Sequence, residues 1–219
     1  MTRNVLYLHG MGGGGDSRIP KILADCFAGK DLRVVVRTYD FDPAVASGEI
    51  SRWIEELRPS VVVGESLGSI HAIRVHGIPH ILVSPALGAP KYLSRFAWTA
   101  GLPFVSALYG RIWRPREGDR QKLVFSVPVM KNYGPHLREA LANTPAAGSR
   151  DYFFAFFGKR DHYLRSGVVS IRSWKKLFGA DSFLMYDGTH FMEEEHVRNL
   201  LAPAIERIAS EKNNDYLCP

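Results

Sequence analysis

Three residues in this chain have the types and surroundings that nucleophilic chemistry at a carbonyl requires: Ser66, Asp161 and His190. Ser66 lies in Gly64-Glu65-Ser66-Leu67-Gly68, a Gly-x-Ser-x-Gly pentapeptide. The β-branched run Val61-Val62-Val63 precedes it, and Leu67, Ile70 and Ile73 follow at helical spacing. Strand, sharp turn and helix together are the context in which this pentapeptide makes a nucleophile elbow. Side chains at Gly64 or Gly68 are expected to collide with the adjoining strand and helix, so glycine is a packing requirement there. A serine hydroxyl is a poor nucleophile until a base takes its proton. His190, in Asp187-Gly188-Thr189-His190-Phe191, follows the last expected strand and is the base, with His162 as its rival. Asp161, at the end of Gly158-Lys159-Arg160-Asp161, follows an aromatic strand and is the acid. Its role would be to hold the imidazole tautomer and stabilise the charged form. Asp187 is the runner-up, and Glu65 at the elbow reads as solvated.

The same chemistry needs backbone N–H groups aimed at the oxygen where charge develops. One is expected from Leu67, directly after the serine. The second should come from the loop His9-Gly10-Met11-Gly12-Gly13-Gly14-Gly15, from Met11 or otherwise Gly12. That loop also satisfies G-x-G-x-x-G after a strand and before a helix, and Asp40 stands near the position of a ribose-binding acid. A dinucleotide reading therefore competes, although it leaves Ser66, Asp161 and His190 without a purpose. No Gly-Lys-Ser/Thr follows, so the loop is not a Walker A motif. Of the other histidines, His9 is expected to organise the loop. His71, His76 and His80 read as structural, and His136 and His196 as surface or helix residues.

These residues need a scaffold that brings strand ends together. Apolar runs predict strands at Val5–Leu8, Leu32–Thr38, Val61–Val63, Ile81–Ser84, Tyr152–Phe157 and Phe183–Tyr186. Between them lie helical patterns: one after Ser17, one from Asp42-Pro43 to Pro59, the elbow helix, and a last helix through Val197, Leu201 and Ile205. Glu193, Glu194 and Glu195 read as the acidic first turn of that last helix. The tail from Lys212 is expected to fray. Alternation of this kind predicts an α/β fold, a doubly wound, mainly parallel six-stranded sheet with helices on both faces. Such sheets bind ligands at the carboxyl ends of their strands. Every candidate residue lies just after a strand.

The segment from about Ala89 to Gly134 breaks the alternation. It holds Tyr92, Phe96, Trp98, Phe104, Tyr109, Trp113 and Phe125, with Pro and Gly throughout. Its bases are Lys91, Arg95, Arg111, Arg114, Arg116, Arg120 and Lys122, against Glu117 and Asp119. An inserted cap over the strand ends is expected, with Leu123–Val129 either a strand or part of the cap. A basic rim there would favour an ester carrying a remote anionic group.

The 219 residues fit one domain, residues 1–219, and 46% hydrophobic against 23% charged content is that of a globular chain. Lys and Arg are scattered despite a net charge of +6, so no nucleic-acid partner is expected. Cys26 and Cys218 form no CxxC, so neither a disulfide framework nor a zinc site is read. With no secretory leader and no apolar run of spanning length, a cytoplasmic protein is the expectation. Oligomeric state is not encoded in any feature of the sequence.

His9-Gly10 after the first strand, the Ser66 elbow, Asp161 and His190, in that chain order, together resemble the α/β-hydrolase superfamily. The resemblance spans nearly the whole chain except the cap. The family's opening antiparallel hairpin has no room before Val5, so this looks like a short member. The resemblance implies a serine hydrolase of the carboxylesterase kind, acting on a small-molecule ester with no metal or organic cofactor. The same triad serves thioesterases and acyltransferases. A hydrolase-fold protein that only binds ligands is the alternative outside enzymes.

Overall fold

The computed structural model describes residues 2–112, 118–142 and 152–210. Its strands are β1 (Arg3–Leu8), β2 (Leu32–Val36), β3 (Val61–Glu65), β4 (His80–Val83), β5 (Phe153–Gly158) and β6 (Phe183–Tyr186). They form one sheet in the order β2-β1-β3-β4-β5-β6, and all five pairings are parallel. The apolar runs are continuous because a parallel sheet is covered on both faces. The second strand stops at Val36, short of the expected Thr38, and the fifth starts one residue later than expected. Thr38 is drawn out of the ladder because its hydroxyl donates to Asp119 Oδ1 at 2.6 Å.

Residues alternate between two cores, as a period of two requires. Val5, Tyr7, Val61, Val63, Ile81 and Val83 face α1 (Arg18–Cys26) and the C-terminal helix. That helix runs as α9 (Glu194–His196), a π turn at Val197–Leu201, and α10 (Ala202–Ser210). The π turn sits just before Pro203, which has no N–H to continue the α ladder. On the opposite face, Leu6, Leu8, Val62, Leu82 and Phe157 pack under four helices. These are α2 (Pro43–Leu57), α3 (Gly68–Ile73), α6 (Val127–Ala142) and α8 (Ile171–Phe178).

Between β4 and α6 lie α4 (Ala89–Phe96), a 3₁₀ turn at Thr99–Gly101 and α5 (Val105–Ile112). Leu123–Ser126 is irregular rather than a strand. Helix α6 runs on through Gly134 and packs against α2 and α3, so it belongs to the layer over the sheet. After β5 comes the short α7 (Tyr163–Ser166). The chain reverses direction across the sheet between β1 and β3. The crevice at their carboxyl ends is where such folds place ligands, and Gly10 and Ser66 both stand there.

Candidate active site

The turn after β3 is strained and tightly held. Ser66 has a φ of 50°, and a side chain in that region costs roughly 1–3 kcal/mol. The Ser66 N–H donates to the Val83 carbonyl at 2.9 Å, and the Ser66 carbonyl accepts from Ser69 and Ala86 N–H groups at 3.2 and 3.1 Å. A Cβ on Gly64 would come within 2.8 Å of Ala72 on α3, and one on Gly68 within 2.3 Å of the Leu8 carbonyl oxygen. Both glycines are therefore fixed by packing, as the motif suggests.

The candidate acid and base, Asp161 and His190, lie in the loops after β5 and β6. A Cβ on Gly158, the last residue of β5, would lie 2.2 Å from the Thr189 carbonyl oxygen. Only a glycine lets the loop after β6 pass this close to the strand end, and the crossing carries His190 over Asp161. The Asp161 carboxylate accepts from Tyr163 N–H at 2.8 Å through Oδ1 and from His190 Nδ1–H at 2.7 Å through Oδ2. A carboxylate only accepts, so the His190 proton is placed on Nδ1. Nε2 is left to accept from the Ser66 hydroxyl at 2.9 Å. Asp161 and His190 are each only 4% exposed.

The His190 loop has its own supports. Glu193 Oε1 accepts from the Thr189 hydroxyl at 3.1 Å, and the Tyr186 hydroxyl donates to the Thr189 carbonyl at 3.1 Å. Burial works to raise the Glu193 carboxyl, but hydrogen bonds from its own backbone and from Thr189 override it and lower its pKa. The Tyr163 and Phe191 rings stand edge-on to His190 at 4.6 and 5.2 Å. The rival residues stay outside this cluster. Asp187 is exposed and pairs with Arg160 at 3.3 Å, and His162 is exposed with its ring 6.1 Å from that of His190.

The glycine loop is occupied from within. Gly12 N–H donates to Gln121 Oε1 at 3.1 Å, and Gly13 N–H to the Gly10 carbonyl at 2.9 Å. Gly14 N–H donates to the Ser17 hydroxyl at 3.0 Å, and Gly15 N–H to the Thr38 hydroxyl at 3.2 Å. The Ser17 hydroxyl, at the N-terminus of α1, thus serves the loop and makes no capping hydrogen bond to that helix. A phosphate-cradling loop needs those N–H groups free, so the dinucleotide reading does not fit. Asp40 likewise turns back on its own loop, accepting from Asp42 N–H at 2.7 Å. Among the described residues, the N–H groups of Met11 and Leu67 have no hydrogen-bond partner. An added Cβ on Gly10 would lie 3.3 Å from Ser66 Cβ, so the loop backbone runs directly beside the serine.

Gln121 had no signal in the sequence, yet it clamps this loop. Besides holding Gly12, its Nε2 donates to the Tyr39 and Asp40 carbonyls at 3.2 and 3.3 Å, and its own N–H donates to the Gly13 carbonyl at 2.7 Å. Behind the loop, His9 Nδ1–H donates to the Gly10 carbonyl at 2.8 Å, and its ring stacks on Tyr39 at 4.2 Å. Tyr39 meets His71 at 5.0 Å, and His71 Nδ1 lies 3.1 Å from His136 Nε2. Burial pushes His9 and His136 down to about 4 and His71 well below its ordinary value. Of the surface or helix positions expected for His136, the structure has the helix: it lies on α6, buried. One expectation is corrected: Glu65 is not simply solvated, because the Tyr7 hydroxyl donates to it at 2.7 Å.

Compared with protein-family models and with curated protein sequences, the chain matches none. Solved structures do match. A monoacylglycerol lipase of Paleococcus ferrophilus is 19% identical, with a TM-score of 0.65 over 95% of this chain and 96% of that one. Est1E from Butyrivibrio proteoclasticus is 13% identical, with a TM-score of 0.65 over 96% and 89%. FphF, a fluorophosphonate-binding serine hydrolase of Staphylococcus aureus, is 13% identical, with a TM-score of 0.59 over 96% and 84%.

The chain has the α/β-hydrolase fold. On this α/β-hydrolase scaffold, Ser66, Asp161 and His190 meet at the carboxyl ends of β3, β5 and β6. Of the bases in the segment after β4, Arg120 pairs with Asp16 at 2.6 Å, while Lys91, Arg95, Arg111 and Lys122 are exposed. Trp113, Arg114, Arg116 and Glu117 lie outside the described residues, as do Cys218 and the tail from Lys212. Among the described residues of this α/β-hydrolase fold, no three metal-ligating side chains group together, and Cys26 is a free thiol.

Proposed function

We propose that this protein is a serine hydrolase that cleaves a small carboxylic ester through an acyl-enzyme. The observation that carries the reading is the continuous hydrogen-bonded chain from Ser66 Oγ through His190 to Asp161. Ser66 Oγ attacks the ester carbonyl while His190 Nε2 takes its proton. The resulting imidazolium is stabilised by Asp161. The oxyanion of the tetrahedral intermediate accepts from the N–H groups of Met11 and Leu67. His190 then gives its proton to the leaving alcohol as the ester C–O bond breaks. In the second half His190 takes a proton from water, whose hydroxide attacks the acyl carbon. The acid leaves as the proton returns to Ser66 Oγ.

We further propose that the segment from Ala89 to the start of α6 is the cap. Leu123 Cδ1 lies 3.5 Å from where a Cβ on Gly12 would stand, so the cap's downstream end already reaches the glycine loop. The lipase and the serine hydrolase named for two of the matched structures support the ester reading. The experiment is labelling with a fluorophosphonate followed by peptide mapping, together with burst kinetics on an activated aryl ester. The expected result is a single adduct on Ser66 and a burst equal to the active-site concentration. An adduct on another serine would reject the site, and no adduct with an intact fold would reject the reading in favour of a ligand-binding protein. A matched oxygen-ester and thioester pair, each assayed with and without an acceptor alcohol, separates the esterase from thioesterase and acyltransferase activity.

A further inference from the structure

The segment between α4 and α6 presents apolar side chains in the wrong direction for a core. Nearly half of the exposed large apolar side chains among the described residues fall between Phe96 and Ile112. They are Phe96, Trp98, Leu102, Phe104, Leu108 and Ile112, with Phe104 88%, Trp98 65% and Ile112 62% exposed. Helix α5 explains the pattern. Tyr109 lies on its inner side, packing on Phe125 and meeting the Thr99 hydroxyl at 2.6 Å. Leu108 and Ile112, at spacing four on α5, form an apolar stripe that faces solvent, and Phe104 stands exposed just before the helix. Phe104 also carries a φ of 65°, which costs a bulky residue free energy that no packing of its own ring returns. Clustered exposure of this kind marks an interaction surface.

The charge around the stripe selects the partner. Lys91, Arg95 and Arg111 are exposed, and no Asp or Glu occurs between Ala89 and Ile112. A second copy of the chain would set these like charges against one another across a two-fold contact. An anionic lipid surface meets both halves of the pattern. Apolar and aromatic side chains insert at the level of the headgroups while Lys and Arg meet lipid phosphates. We infer that the outer face of Phe96–Ile112 docks peripherally on an anionic phospholipid surface. The contact is peripheral because no helix among the described residues is long and apolar enough to cross a membrane. The docking would place the cap, and with it the Ser66 site, against the bilayer. It does not depend on hydrolysis.

The test is co-sedimentation of the full chain with vesicles of phosphatidylcholine alone or mixed with phosphatidylglycerol. Binding is expected to the mixed vesicles and to weaken as salt is raised. A Leu108→Ser/Ile112→Ser variant should lose it, and its unfolding temperature should match the parent because both side chains are exposed. The variant Lys91→Gln/Arg95→Gln/Arg111→Gln should bind on the order of a hundred-fold more weakly. Ser66→Ala should bind like the parent, which separates this inference from the hydrolase reading. Absence of binding to the mixed vesicles overturns the proposal, as does binding that survives the serine substitutions. A concentration-dependent dimer abolished by those substitutions, without vesicle binding, assigns the face to a second copy and overturns it too.

Discussion

Two groups of histidines lie within one fold and have opposite chemistry. His190 is buried against a carboxylate, so one of its nitrogens is anchored and the other faces a hydroxyl. His9, His71 and His136 form a column with Tyr39 behind the glycine loop, and no carboxylate hydrogen-bonds to any of their rings among the described residues. With no carboxylate bonded to their rings, burial lowers the pKa of all three, outweighing at His9 and His136 the attraction of nearby acids. The two settings differ in one respect: a buried carboxylate anchors the His190 ring, and none anchors the rings of the column. The column backs the loop that carries Met11, while His190 is the base of the proposed hydrolase.

The largest expected effect tests that division directly. His190→Ala should lower ester turnover on the order of 10⁶-fold, the loss typical of removing a triad nucleophile or base. His136→Gln should stay within a few-fold of the parent. Comparable losses in the two variants would erase the distinction. Next, Asp161→Asn makes His190 resemble the column by taking away its carboxylate, and turnover should fall roughly 10⁴-fold. Asp187→Asn, at an exposed surface pair, should change it little; stopped assays with an aryl ester compare the two.

A smaller effect is expected from the clamp. Gln121→Leu frees Gly12 N–H and loosens the turn that presents Met11. The rate constant kcat should fall on the order of 10²-fold, as for loss of one oxyanion donor, with KM nearly unchanged. A change in KM alone would show that Gln121 supports the cap and not the oxyanion loop.

The smallest effect concerns stability. In the unfolded chain the column histidines protonate near 6.5, whereas His9 and His136 in the fold do so only at about 4. Between those values the unfolded state binds more protons, so stability is complete above about pH 6.5 and is lost as pH falls toward 4. The His9 shift alone corresponds to roughly 3 kcal/mol. Thermal unfolding from pH 7 to 4 should show that decline, and His136→Gln should make it shallower. An unchanged slope would mean that other groups govern the acid limb.

The elbow, the six strands of a parallel sheet and the candidate residues Asp161 and His190 were legible because each is local to a strand or a strand end and carries its own signature. Val61–Val63 before the elbow and the Phe-rich β5 were read from residues adjacent in sequence. The Gln121 clamp was not legible, because it reaches Gly12 across 109 positions and one glutamine in a polar stretch carries no pattern. His136 lies on α6, whose internal Pro135 disguises a sixteen-residue helix and hides its inward face. The helices between β4 and α6 were blurred by the Pro and Gly that punctuate them. Ser17 illustrates competition between neighbours, since one hydroxyl could serve α1 or the glycine loop and the loop took it.

The spacing of the site along the chain has a consequence for biosynthesis. Ser66 and His190 are 124 residues apart, and their hydrogen bond depends on β4, β5 and β6 having assembled in between. Parallel pairings across long intervals form late, after the entropy of closing large loops has been overcome. A nascent chain that has already folded its elbow still lacks Asp161 and His190, so on the proposed reading it cannot yet hydrolyse an ester. Hydrolytic competence should then emerge only in the final stage of folding. During refolding from denaturant, recovery of turnover should lag behind recovery of helical circular dichroism.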